Sequence, residues 1–168
     1  MLDNLTILIT TYNRYTLLKR LITFYNSFDF EVKIIVLDSS SNTSIDKDLY
    51  SMLNSKNIIW KKYDPEIFFA NKIADGSQLI KTEFSVLCAD DDFIFPYALE
   101  EAIDYLKKNK DFSSCLGNQY KHHILNFFGK KFVIFQQSSV NGSEIIDNDC
   151  YDRILKYMSG KSIYYPFY

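Results

Sequence analysis

No surplus of either charge marks this chain: Lys and Arg number 19 against 21 Asp and Glu, leaving a net charge of −2. Without a global basic field, neither nucleic acid nor an anionic membrane is indicated as a partner of the chain as a whole, and a polyanionic ligand must be held locally. Cysteine is scarce too. Cys88, Cys115 and Cys150 are widely spaced, odd in number and form no C-x-x-C pair, which argues against a disulfide framework or a zinc ribbon and favours a reducing, cytoplasmic setting. No apolar run approaches the roughly 18 residues needed to span a bilayer, and Met1-Leu2-Asp3-Asn4 lacks the basic start of a secretory signal. The expectation is a cytoplasmic protein without a transmembrane segment, reaching the inner face of the membrane only as a peripheral protein. An early glycine-rich basic loop is missing as well, which disfavours a nucleotidyltransferase. Threonines follow the first apolar run where a phosphoacceptor receiver domain needs acids.

What is present suits one globular domain over residues 1–168: 47% of the 168 residues are hydrophobic and 17% aromatic, enough for a sizeable core. The thirteen tyrosines and fourteen phenylalanines are expected mostly in core or interface. Ile163-Tyr164-Tyr165-Pro166-Phe167-Tyr168 is too aromatic for a solvated tail and breaks off without a stop signal, so the parent protein is expected to continue.

Short β-branched apolar runs alternate with helical periodicity. Leu5 to Thr10 reads as a strand, followed by Leu17, Leu18, Leu21, Ile22, Tyr25 and Phe28 at helical spacing. Strands are predicted again at Val32–Leu37, Asn57–Lys61 and Glu83–Cys88, with helices at about Ile45–Leu53, Phe68–Ile80 and Tyr97–Asn109. Pro96 suits the first turn of the last helix, with Glu100 and Glu101 early and Lys107, Lys108 and Lys110 late, as the helix dipole favours. The alternation predicts an α/β fold with a largely parallel sheet. Farther on, Ser113–Tyr120 and Lys131–Gln137 read as strands, the second in a hairpin through Phe128-Gly129-Lys130, and Asp147–Met158 as a helix.

Open α/β sheets bind ligands outside the carboxyl ends of their strands. There the sequence places Thr10-Thr11-Tyr12-Asn13-Arg14, then Asp38-Ser39-Ser40-Ser41-Asn42, and then three consecutive carboxylates, Asp90-Asp91-Asp92. Two carboxylates about 5 Å apart repel by roughly 3 kcal/mol at an effective dielectric of about 20, so a divalent cation, or a ligand bringing one, is the natural occupant. A solvated turn capping the next helix is the alternative. Asp38 either accepts from a ligand N–H or closes an Asx turn, and Arg14 and Lys72 either meet a ligand or decorate their helices. His122 and His123 are adjacent, so from regular β-structure they would point to opposite faces and could not share one metal. Glu144, Asp147, Asp149 and Asp152 could include a general base or simply begin a helix.

In these motifs the chain resembles the inverting, family 2-like nucleotide-sugar glycosyltransferases of the GT-A fold, with good motif order from Leu5 to about Leu106 and more loosely over Asp147–Tyr168. The resemblance implies that Thr10, Thr11, Tyr12 and Arg14 lie against the nucleoside and that Asp38 holds the base. Phe69-Ala70-Asn71-Lys72 corresponds to an Ala-Arg-Asn segment near the nucleotide. The family's Asp-x-Asp-Asp metal motif corresponds to Asp90-Asp91-Asp92 with Ala89 in its first place; Asp91 and Asp92 are the implied metal ligands, and Asp90 approaches the ribose or seconds the metal. Ser39 stands where the family has a second acid. Implied partners are Mn²⁺ or Mg²⁺, a nucleotide-diphosphate sugar (a UDP-sugar first) and a glycan or lipid-linked acceptor, in polysaccharide biosynthesis. The catalytic base is expected later in the parent protein, and the alternative reading is a non-catalytic nucleotide- or metal-binding module.

Overall fold

A computed structural model of the chain describes residues 2–28, 31–42, 44–138, 145 and 147–159. The aromatic run 163–168 and Glu144 lie outside the described residues. The chain divides into two compact units, Met1–Ile103 and Asp104–Tyr168.

In the first unit, β1 (Leu5–Thr11), β2 (Lys33–Asp38), β3 (Ile58–Lys62) and β4 (Phe84–Ala89) form an all-parallel sheet in the order β3-β2-β1-β4. Between them run α1 (Tyr15–Asn26), α2 (Lys47–Leu53) and α3 (Phe69–Ser77), and α4 (Pro96–Lys108) follows β4. Both faces of β1 and β2 are covered, which is why these strands read as continuous apolar runs rather than as alternation. Ile7, Ile9, Ile34 and Val36 meet Leu18, Leu21 and Ile22 of α1, Leu49 and Leu53 of α2, and Leu99 and Ile103 of α4. The opposite face, Leu8, Ile35 and Leu37, packs against Ile73 of α3 and the adjacent Leu79 and Ile80. Each fully buried Ile or Leu contributes about 1.5–3 kcal/mol by its removal from water. Gly76 permits the closest approach on this second face, since a Cβ there would overlap the side chain of buried Leu37.

The expected elements are present, with ends displaced by a few residues. In α4, Lys107 and Lys108 occupy the last turn, whereas Glu100 and Glu101 fall beyond the first. Aromatic residues contribute less to the core than expected: among the described residues only Tyr25 is buried, with Tyr15, Phe24, Trp60 and Phe84 packed partly against it.

The second unit holds an antiparallel hairpin, β5 (Gln119–Phe127) and β6 (Lys130–Ser138), and α5 (Cys150–Ser159). The predicted hairpin turn is correct, but its first strand is Gln119–Phe127 and not Ser113–Tyr120. No helix among the described residues is long and apolar enough to cross a membrane.

Candidate functional site

The chain moves outward from β1 to β2 and β3, then crosses back to place β4 on the other side of β1, so the strand order reverses between β1 and β4. Such a switch point opens a crevice at the carboxyl ends of the strands. Parallel register aligns those ends: Thr11 lies opposite Asp38, and Thr10 opposite Ala89, immediately before the acidic run. The predicted groups therefore share one edge.

At the β1–β4 side, Thr11 Oγ1 donates to Asp90 Oδ2 at 2.7 Å. Asp90 is fully buried. Arg14 reaches across from the start of α1, with Nη2 2.7 Å from Asp90 Oδ1 and Nη1 3.1 Å from Asp91 Oδ2. The first contact is a short ion pair to a fully buried carboxylate, from a guanidinium that is itself about half exposed. Burial pushes the Asp90 carboxyl above the ordinary carboxylate range, against the opposing pull of Thr11 and Arg14. Asp91 keeps 48% of its side chain exposed and faces solvent beside it. Asp92 is exposed as a residue, yet desolvation of its carboxyl, and then Asp91, raise it also. Tyr12 is exposed next to this cluster in sequence, while Thr10 is buried within the strand end.

At the β2 side, Asp38 is fully buried and well supplied with donors. Oδ2 accepts from Tyr15 Oη at 2.9 Å, Trp60 Nε1 at 3.1 Å and Lys62 Nζ at 3.1 Å; Oδ1 accepts from the Ser40 backbone N–H at 2.8 Å. Burial alone would raise Asp38, but Ser40, Lys62 and Trp60 outweigh it and hold the carboxyl below its usual range. The Asx-turn alternative is thus observed in the Ser40 bond, and the same carboxylate also organises three side chains. Asn13 adopts φ 56°, a left-handed conformation that asparagine tolerates. Its N–H donates to Ser40 Oγ at 2.8 Å, and its Oδ1 accepts from Ser41 Oγ and the Asn42 N–H, tying the β1 and β2 loops together.

Lys72 lies beneath both sides. Its buried Nζ donates to Ser39 Oγ at 2.8 Å and to the Thr11 carbonyl at 3.4 Å. Desolvation lowers its pKa against the pull of Asp38 and Asp90. Ser39 therefore serves as an acceptor for a buried ammonium.

Sequence reasoning missed Tyr15, Trp60 and Lys62 as partners of Asp38. The available signal was register, since a polar residue ending a strand beside β2 must meet its carboxyl end, and Lys62 does lie opposite Asp38. Of the four acids considered for a general base, Asp147 pairs with Lys156 and accepts at 2.6 Å, and Asp149 accepts from the backbone N–H groups of Tyr151 and Asp152 at the start of α5.

Among the described residues no group of three or more His, Cys, Asp and Glu side chains forms a metal cage. Arg14 already occupies Asp90 Oδ1 at 2.7 Å and Asp91 Oδ2 at 3.1 Å, so an ion held by these two acids would have to displace it.

No family model matches the chain, and no curated protein matches its sequence. Among solved structures it is similar to S. aureus TarS 1-349, with a TM-score of 0.53 and 17% identity over 63% of this chain and 33% of that one. The likeness concerns the fold. A Rossmann-like α/β sheet of the GT-A kind, all-parallel and flanked by helices, carries the site. The chain spans about a third of the length of that structure.

Proposed function

We propose that the crevice at the carboxyl ends of β1, β2 and β4 binds a nucleotide-diphosphate sugar and that the parent protein transfers the sugar, with inversion, to an acceptor hydroxyl. The observation that carries this reading is the Thr11–Asp90–Arg14–Asp91 cluster at the strand-order reversal: a buried acid beside a half-exposed acid, both held by the Arg14 guanidinium. The fold likeness to TarS, a glycosyltransferase, supports the transferase class.

Asp91 and Asp90, with Asp92 near them, would hold Mn²⁺ or Mg²⁺, which supplies Lewis-acid neutralisation of a diphosphate. Arg14, paired with both acids in the free protein, would turn to the phosphate oxygens once those acids have another partner. The exposed Tyr12 ring offers a stacking surface for the nucleoside. Asp38 acts as a positioning residue, holding Tyr15, Lys62 and the Ser40 loop where the base and ribose would lie, and Lys72 braces Ser39 and the end of β1 from below. In the reaction the acceptor oxygen forms a bond to the anomeric carbon as the bond to the diphosphate breaks; the electron pair leaves with the diphosphate and the acceptor proton passes to a carboxylate base. A UDP-sugar is the first donor to test, with a glycan or lipid-linked acceptor.

A crystal structure with UDP and MnCl₂ tests the reading. A diphosphate beside Asp91 supports it; nucleotide bound elsewhere, or only a protein with the crevice unchanged at saturating UDP, overturns it. Release of UDP from a UDP-sugar by the parent protein separates an enzyme from a binding module.

A further inference from the structure

The β5–β6 hairpin carries a chemistry that the donor site does not use. Residues 119–138 include Lys121, Lys130 and Lys131 with His122 and His123, and no carboxylate, in a chain of net charge −2. Phe127 pairs with Lys130, so Phe128 and Gly129 alone make the turn, with φ of 48° and 73°. Two-residue turns of this kind demand left-handed backbone at both positions and favour Asn-Gly. Phenylalanine is poorly suited to the first of them. Phe128 nevertheless occupies it, 91% exposed, with its ring edge-to-face on that of the exposed Phe127 at 4.5 Å. The tip thus combines a strained residue, two solvated rings and two successive lysines of β6, one on each face of the hairpin. Hydration alone rewards none of the aromatic part, whereas an interface that is apolar at one depth and anionic at the next suits all of it: aromatic rings settle at the headgroup boundary, and lysines reach lipid phosphates.

We propose that this hairpin tip docks on an anionic phospholipid surface, with Phe127 and Phe128 entering the headgroup boundary and Lys130 and Lys131 meeting the lipid phosphates. The attachment is reversible, since it rests on two rings and a small basic patch rather than on a spanning segment. It is independent of the donor-site reading.

The test is co-sedimentation of the full chain with vesicles of phosphatidylcholine alone and of equal parts phosphatidylcholine and phosphatidylglycerol. The expected result is salt-sensitive binding to the anionic vesicles only. Phe128→Asn, which suits the turn and preserves the hairpin, should lower the partition coefficient roughly tenfold, and Lys130→Gln and Lys131→Gln about fivefold each. Absence of binding, equal binding to both vesicles, or binding unchanged in Phe128→Asn would overturn the proposal. So would concentration-dependent self-association that Phe128→Asn abolishes while vesicles are ignored, since the tip would then cover a second copy of the chain. UDP affinity, measured on the same variants, should not change, so a failure here is distinct from a failure of the donor site.

Discussion

The Thr11 hydroxyl donates to the Asp90 carboxylate at 2.7 Å across 79 residues of sequence, joining the ends of β1 and β4 at the point where the sheet reverses its order. Both residues are buried. Thr11→Val keeps the shape of the strand end but removes the donor, leaving a buried carboxylate oxygen unsatisfied. The loss should be about 1–3 kcal/mol at neutral pH, read from urea unfolding. Because Asp90 is already raised by burial, its charge opposes folding above its ordinary pKa. The deficit of Thr11→Val should therefore shrink as the pH falls and Asp90 takes a proton.

Asp38 has the opposite sign. Its native pKa lies below the ordinary value of 3.8 because its donors outweigh burial. Its charge therefore stabilises the fold fully above that value, and the contribution is lost as the pH falls through the native pKa. Asp38→Asn should cost about 1–3 kcal/mol at pH 7 and flatten the acid limb of stability against pH. An unchanged acid limb would show that the four donors to Asp38 do not favour its charged form.

Gly76 tests the packing that sets the position of α3, and with it Lys72. Gly76→Ala should gain up to about 1 kcal/mol in helix propensity yet lose roughly 1–3 kcal/mol to overlap with buried Leu37, for a net destabilisation. In a Leu37→Ala background the penalty of Gly76→Ala should vanish. A double-mutant cycle in urea reads this coupling directly.

These residues also show what can be read from a chain before its structure. β1 and β2 were visible because parallel strands covered on both faces demand unbroken apolar runs, as in Ile7-Leu8-Ile9 and Ile34-Ile35-Val36-Leu37, whereas the edge strands β3 and β4 leave Ile59 and Leu87 exposed and were visible as short β-branched and aromatic runs. The acids and threonines that end them were visible because they interrupt the apolar runs, although Thr11, Asp38, Ser39, Ser40 and Asp90 are themselves buried. The hairpin strand at Gln119–Phe127 was misplaced because both of its faces are exposed and neither imposes a period of two. The setting of Asp38 depends on Trp60 and Lys62 lying opposite in register, and the Arg14 bridge on how α1 leaves β1. Such information belongs to pairing between distant segments, and local sequence does not encode it.

Arg14 should affect cation and nucleotide in opposite directions. In Arg14→Gln the competitor for Asp90 and Asp91 is gone, so affinity for Mn²⁺ alone should rise about two- to fivefold, the scale of one half-exposed ion pair. Affinity for UDP in the presence of Mn²⁺ should fall. Calorimetric titrations with each ligand distinguish this from a purely structural role, which would move both the same way.

The most direct test of the donor site is calorimetric titration of UDP into the wild-type protein and Asp91→Ala, each with Mn²⁺ and with EDTA, with folding checked by circular dichroism. Asp91 is half exposed and outside the core, so the variant should fold normally. The account predicts tighter UDP binding by wild-type protein with Mn²⁺ than with EDTA, and Asp91→Ala binding about tenfold or more weakly in Mn²⁺, with little further loss in EDTA. Equal UDP affinity in all four titrations would contradict it.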